Sequence, residues 1–320
     1  MTMRPLQRMR WRRGFGVPSN EPSPRKSEPP WRASDRRWGL ILIAPQLFGT
    51  FIFVALPLAA GLGLAFLDWD GLSPAEWVGL DNFWDQLTDP RFIHSVINTI
   101  AIGLITIPIG LALALALALA LNGIRGRAIF LVLIVAPVVT SSVAVAMIWQ
   151  QLFRADGALS EVFALIPGVD PIDWLGDPTF TLVAVCVVII WSSLGLNVLI
   201  FLAGIQTIPP QVLEAATVDG AGTWTMLFRV KVPLLTPTIF FSTVVAAISS
   251  LQTFDSVYVL TDDGGPQDAA RTIVLHVFDL GFQRFELGVS SAAAMMLLGM
   301  TLIVTLAQFG GQKRFVHYET

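Results

Sequence analysis

The chain has 320 residues, 54% of them hydrophobic and 13% charged, with a formal net charge of −3. Soluble domains carry about 25% charged residues, so the composition excludes an ordinary soluble domain and points to a membrane protein. The single cysteine, Cys186, excludes an intrachain disulfide and, inside an apolar run, reads as a small core residue rather than a reactive thiol.

Residues 1–37 read as a disordered basic tail. They hold ten of the twenty Lys/Arg, together with Pro5, Pro18, Pro22, Pro24, Pro29 and Pro30, and too little apolar surface to bury a core. No apolar h-region follows the charges before residue 39, so the tail is not a secretory signal. It serves as a topology anchor and spacer, with contact to anionic lipid as the alternative. Six apolar runs follow, near 39–67, 95–121, 129–152, 181–204, 234–260 and 287–310. Each reaches the ~20 residues that a membrane-crossing helix requires. The expected fold is therefore all-α, a polytopic protein of six transmembrane helices spanning 38–315. Pro45, Pro57, Pro108 and Pro137 fall inside spans, as membrane helices tolerate when neighbours satisfy the freed carbonyls. Thr140, Ser141 and Ser142 follow Pro137 and read as hydroxyl repair of a kink, a gate being the alternative. The alternating Leu and Ala of 111–121 carry no strand signal, because both are apolar, and the alanines permit close helix approach.

Charge bias sets the expected orientation. With the N-terminus cytoplasmic, segments 1–38, 122–128, 205–233 and 311–320 lie inside and hold sixteen of the twenty Lys/Arg. The outside segments hold Arg91, Arg154, Arg271 and Arg284. This is the positive-inside pattern of an inner-membrane protein with both termini cytoplasmic, residues 316–320 forming the C-terminal end. The outside loop Asp68–Arg91 carries Trp69, Trp77, Phe83 and Trp84, and the loop 153–180 carries Trp174. Such aromatics form either an interfacial belt or a lip on which another protein docks. Gly264–Gly265–Pro266 reads first as a turn.

No enzyme site is legible. The chain has no G-x-x-x-x-G-K-[ST] phosphate loop, and His94, His276 and His317 lack metal-ligand spacing. The nucleophile elbow of serine hydrolases is absent. Asp219–Gly220–Ala221–Gly222 follows no strand and is a turn rather than a phosphate cradle. We expect no catalytic residue, no metal, no cofactor of its own and no nucleic-acid partner.

Polar groups cluster in two spans. Trp191, Ser192, Ser193 and Asn197 lie in the fourth; Ser249, Ser250, Gln252, Thr253, Asp255 and Tyr258 lie in the fifth. Hydroxyl and amide groups beside aromatic faces suit a neutral, polyhydroxylated ligand, whereas a proton or metal pathway would show several buried carboxylates or histidines. The alternative is interhelical hydrogen bonding. Asp255 is equally a helix-end group bonded to backbone or to Arg271.

The stretch 205–237 is the long polar, turn-rich segment of the positive side. Pro209 and Pro210 start a short helix over Gln211–Val218, and Asp219–Gly222 turns the chain. Thr223 is placed to cap a second helix. Trp224, Leu227 and Phe228 form its apolar face, while Arg229 and Lys231 stay in water. Pro233 is expected to stop it and Pro237 to start the next span.

These residues resemble the EAA loop of ABC importer permeases: Glu214, Ala215, Ala216, Asp219, Gly220, Ala221, Phe228, Pro233 and Pro237 stand at that family's spacing. The stretches 199–209 (LIFLAGIQTIP), 254–261 (FDSVYVLT) and 264–266 (GGP) resemble its carbohydrate-uptake branch. The family usually reads T-x-G-G-P where this chain has TDDGGP, one residue longer. The resemblance, over roughly residues 38–315, implies a type I permease fold in which the 205–237 loop couples to a cytoplasmic ATPase through the residues above, with Trp224 and Leu227 completing the contact. It also implies a second, similar permease, two ATPase subunits that bind Mg-ATP, and an extracytoplasmic sugar-binding protein. The implied solute is a sugar, with glycerol 3-phosphate or another polyol derivative as the alternative. A secondary transporter would need intramembrane carboxylates or inverted repeats, and a membrane scaffold would carry no flux.

Overall fold

The computed structural model describes residues 31–164 and 172–315. The chain divides into two compact units, residues 1–56 and 57–320. In the first, helix α1 (Trp31–Thr50) runs into a π turn at Phe51–Ala55. A widened turn is a usual device beside a proline that lacks its N–H, here Pro57. The helix begins at Trp31, within the last residues of the expected tail; the rest of that tail and residues 316–320 lie outside the described residues.

From Leu56 the chain continues as α2 (Leu56–Leu64), then a two-residue antiparallel pair, β1 (Leu67–Asp68) and β2 (Glu76–Trp77), with Leu67 opposite Trp77. Helix α3 (Asp81–Thr88) leads to α4 (Pro90–Leu121), whose cap Asp89 accepts the Arg91 N–H while Pro90 occupies the first turn. Next come α5 (Arg127–Val139), α6 (Ser142–Phe153) and α7 (Ala158–Ala164). Helix α8 (Pro178–Gln206) is started by Asp177, which accepts from the N–H groups of Thr179 and Phe180. The chain then passes through α9 (Pro210–Val218), α10 (Thr223–Thr225), α11 (Val232–Leu234), α12 (Thr236–Leu251), α13 (Asp255–Leu260), α14 (Ile273–Phe278) and α15 (Leu287–Phe315).

Four of these stretches are single helices long and apolar enough to cross a membrane: Trp38–Leu64, Pro90–Leu121, Pro178–Gln206 and Leu287–Gln312. The third and fifth expected spans are broken instead. The stretches Arg127–Val139 and Ser142–Phe163 meet at 101°; α5 continues past Pro137 and breaks at Thr140, which is extended (φ −88°, ψ 145°). The Thr140 hydroxyl donates to the freed Ala136 carbonyl at 2.9 Å, the repair expected there. The fifth span turns by 63° at Leu235, and its helix ends at Leu251; Gln252–Phe254 is non-helical before α13 starts.

Packing follows residue size. Helix α4 lies along α8, with α5 and α12 beside them. Ala114 and Ala118 of α4 meet Val198, Phe201 and Leu202 of α8 in one core cluster, closed below by Ile205, Ile208 and Leu235. A second cluster joins Ile102, Val145, Phe153, Val185, Val188, Val257, Leu260 and Leu275. Gly195 is where α8 meets the α5 backbone: a Cβ there would stand 2.4 Å from the Ile134 carbonyl oxygen.

The described residues of the loops expected outside include short helices, among them α3 and α7. Trp174 is half-buried and packs on Phe153, Phe163 and Phe180 at the edge of the second cluster. The 261–286 segment holds more than a turn, since it includes α14 and a buried ion network. Arg271 is buried and meets Asp268 at 2.6 Å, with Asp263 and Asp279 both at 3.5 Å. Arg91 and Arg284 join from the sides, on Asp268 at 3.0 Å and Asp279 at 2.9 Å. Burial tends to raise the Asp268 pKa, but hydrogen bonds from Arg91 and Arg271 outweigh it and hold the carboxyl below its ordinary value.

Candidate functional site

Two sites emerge. The first is a knob between α8 and α12. Helix α9 begins as expected, with Pro209 as cap and Pro210 in the first turn. It ends in a Schellman motif: the Ala221 N–H donates to the Ala216 carbonyl at 2.9 Å and the Gly220 N–H to the Thr217 carbonyl at 3.0 Å. Gly220 sits at φ +79°, the left-handed position this closure needs. Glu214, Ala215, Asp219 and Gly220 are exposed, and Ala216 and Ala221 half-buried.

The second arm differs from expectation in two respects. Thr223 makes no capping bond through its side chain; the residue before the helix is Gly222. Pro233 does not stop the helix, because a π turn at Met226–Lys231 loosens the ladder and lets it run to Leu234. The break falls at Leu235, which is buried in the core, and Thr236–Pro237 start α12 as expected. Trp224 and Phe228, one turn apart, are exposed and stacked, their ring centroids 5.7 Å apart and planes 9° from parallel. Leu227 is half-buried, as is Lys231, while Arg229 is exposed. Leu213 and Leu234 pack on the first core cluster, so both arms of the knob are tied to the spans.

The second site is a polar cavity between α4, α8 and α12. Thr106, Ser193, Asn197, Ser249, Ser250 and Thr253 line a space of about 110 Å³ with Gly110 and several apolar residues. It adjoins a wider opening of about 310 Å³, lined by Ser142, Ser192, Ser193, Gln252, Thr253, Asp255 and Ser256. The structure thus brings together Ser192, Ser193, Asn197, Ser250, Gln252, Thr253 and Asp255. The hydroxyls of Ser192, Ser193 and Thr253 and the Asn197 amide all donate to carbonyls of their own helix turn, not across helices. Ser250 Oγ is buried with no hydrogen-bond partner among the described residues. Asp255 accepts from the Ser142 hydroxyl; Arg271 is engaged elsewhere. The Ser142–Asp255 bond therefore ties the break of the third span to that of the fifth.

Two expected members stand apart. Trp191 lines a separate hollow of about 170 Å³ with Pro137, Thr140 and Trp149, its ring edge-on to Trp149 at 5.5 Å. Tyr258 stacks on Phe254 at 5.4 Å and lies edge-on to Phe278. Helix phase explains both: each is one residue or more off the cavity-facing side. Conversely, Thr106, Ser142 and Ser256 were not singled out as lining residues. Thr106 is a lone hydroxyl in an apolar span, and Ser142 reaches the opening only because its span is broken.

A set of apolar spans, two of them broken around a polar cavity and joined by an exposed aromatic knob, defines a membrane transport subunit. Residues 106–315 match the family described as "Binding-protein-dependent transport system inner membrane component". The chain belongs to this family, the permease subunits of ABC importers. It is a multi-pass membrane protein and a transport component rather than an enzyme. It is 35% identical to "Probable ABC transporter permease protein YesP" of Bacillus subtilis over 89% of this chain and 94% of that one. It is 31% identical to "Lactose transport system permease protein LacF" of Rhizobium radiobacter, over 85% of this chain and 92% of that one. With "sn-glycerol-3-phosphate transport system permease protein UgpA" of Brucella suis the identity is 33%, over 87% of this chain and 95% of that one. Its fold is similar to a chain of a bacterial alginate ABC transporter, solved in complex with an alginate pentasaccharide-bound periplasmic protein. The TM-score is 0.77 at 24% identity, over 91% of this chain and 99% of that one.

Proposed function

We propose that this chain forms half of the translocation pathway of an ATP-driven, binding-protein-dependent importer of a sugar, of the di- or oligosaccharide class. The polar cavity between α4, α8 and α12 carries solute, and the 205–237 knob grips a cytoplasmic ATPase through Trp224, Leu227 and Phe228. Closure of the ATPase dimer on ATP moves the knob, and because both of its arms are tied to the spans, the motion is passed to α8 and α12. ATP drives this only by favouring one of two states, so knob and ATPase must stay coupled in both. A second permease, two ATPase subunits that hold Mg-ATP and an external binding protein complete the assembly, with both termini of this chain cytoplasmic.

The observation that carries the reading is the convergence of the two separate polar clusters on one cavity, whose lining holds hydroxyls, amides and a single carboxylate, Asp255. Hydroxyl and amide groups complement the OH edges of a neutral sugar. Likeness to a lactose permease supports this; likeness to an sn-glycerol-3-phosphate permease supports the polyol-derivative alternative. Among the described residues, no Lys or Arg lines either cavity, so a phosphate would need its cation from the second permease. The test is reconstitution of the full complex in proteoliposomes. ATP-dependent accumulation of a neutral oligosaccharide is expected. ATP-independent flux would assign the chain to secondary transport, and absence of flux to a scaffold.

A further inference from the structure

Sequence left the aromatic loop 68–91 open between a belt and a docking lip. The structure folds it into the β1–β2 pair and α3, and α3 is built inside out. Asn82 and Gln86, one turn apart, are only 4% and 3% exposed. Asn82 Nδ2 donates to the carbonyls of Ala65 and Leu67 at 3.0 and 2.9 Å, and Gln86 Oε1 accepts from His276 Nε2 at 2.9 Å. Leu80, Trp84 and Leu87 instead point outward, 67%, 66% and 54% exposed. At i, i+4 and i+7 they form one stripe. Asp81 and Asp85 are exposed on a third face.

A surface helix in water does the reverse, turning its apolar stripe inward and its amides out. Phe83 is half-buried against Phe66, but a helix that buries two amides and, with its cap residue Leu80, exposes three large apolar side chains is suited to an outside that is not water. Two further observations identify that outside. Helix α3 packs against α4 and α15; neither helix is in the lining of the opening that holds Asp255, and α4 reaches the inner cavity only from Thr106 onward, well along the helix from its Pro90 start. The α4 span that follows, begun directly after the extended Asp89, exposes Ile93, Ile97, Ile100 and Leu104 at helical spacing, so the helix next to α3 in the chain carries an apolar outward face of membrane length.

We propose that α3 lies in the boundary between lipid headgroups and acyl chains, with Leu80, Trp84 and Leu87 in lipid and Asp81 and Asp85 in water. It fixes the depth at which α4 enters the membrane, as an interfacial anchor. Tryptophan is suited to that depth. The acidic flank makes zwitterionic lipid the partner, since anionic headgroups would be repelled.

The test places cysteines singly at Trp84, Leu87 and Asp85 in the full chain with Cys186→Ser, labels them with bimane, and reconstitutes each in phosphatidylcholine nanodiscs with and without bromine on the acyl chains. Interfacial helices sink roughly 5–10 Å, within reach of bromine high on the chain. Fluorescence at positions 84 and 87 should fall about twofold in brominated lipid, while aqueous iodide acts mainly at 85. Equal iodide quenching at all three positions, or no lipid quenching at 84 and 87, assigns the stripe to water or to a docked protein and overturns the proposal. Trp84→Phe provides a second route that preserves an aromatic ring. Quenching of total tryptophan emission by brominated lipid must decrease in this variant, and an unchanged value overturns the proposal as well.

Discussion

Gly220 is the residue on which the knob's geometry turns. Its φ of +79° closes the Schellman motif, and a Cβ there meets no neighbour within 4 Å. Gly220→Ala is therefore strained by backbone alone, at about 1 kcal/mol. Gly220→Pro removes the N–H that Thr217 accepts and cannot adopt the angle at all. We expect Gly220→Pro and Glu214→Lys to reach the membrane yet lose association with the ATPase, read by co-purification from detergent; intact assembly and normal uptake in both would contradict the coupling role. His276 sets a pH limit. Burial, only partly offset by the attraction of Asp89, pushes its pKa from 6.5 down to about 4. Between those values the unfolded chain binds a proton that the folded chain does not, so stability rises with pH across that window and is lost on acidification. At about 1.4 kcal/mol per unit, the loss approaches 3 kcal/mol near pH 4. Thermal midpoints from pH 8 to 4 should fall in that window, and more shallowly in His276→Gln.

At the scale of elements, two contacts decide more than their size suggests. Where α8 crosses α5, Gly195→Ala drives a Cβ into main-chain atoms that cannot rotate away. The helices must separate, at about 1–3 kcal/mol for such overpacking, and the thermal midpoint should drop while Gly63→Ala, with open space around it, changes little. On the knob, the proposed coupling role makes the exposed Trp224–Phe228 stack the surface for the ATPase, so truncating it is expected to remove binding rather than folding. Trp224→Ala with Phe228→Ala should leave the thermal midpoint within about 0.5 kcal/mol of the parent's stability and abolish transport-coupled ATP hydrolysis. Preserved hydrolysis and uptake would assign the grip to other residues.

Across the whole molecule, the breaks in the third and fifth spans are the feature on which the proposed pathway depends. Six straight helices would pack closed; two broken ones leave backbone and hydroxyls facing a polar space, permitted at membrane depth only where a cavity or protein lines it. The Ser142–Asp255 bond couples these breaks. Ser142→Ala should free Asp255 and raise solute-independent ATP hydrolysis in the assembled complex, whereas an unchanged basal rate would make the bond merely local. Orientation is testable on the same assembly. Cysteine placed at Arg229 should react with a membrane-impermeant maleimide only in inside-out vesicles, and labelling in intact cells would reverse the assignment of the knob to the cytoplasm.

The class of the chain was legible without coordinates because its determinants are local: apolar runs of membrane length, a proline-started helix ended by Gly220, and residues at fixed spacing around Glu214. The two polar clusters were legible too, as composition. Which of their members share a cavity was not, since that depends on helix phase and crossing: Trp191 and Tyr258 rotate onto aromatic neighbours, while Thr106 and Ser142 arrive from other spans. Nor was the polarity of α3 legible, because Asn82 and Gln86 are buried only by carbonyls and a histidine brought from distant segments. Periodicity along a chain reports which residues share a face; only packing decides what that face meets.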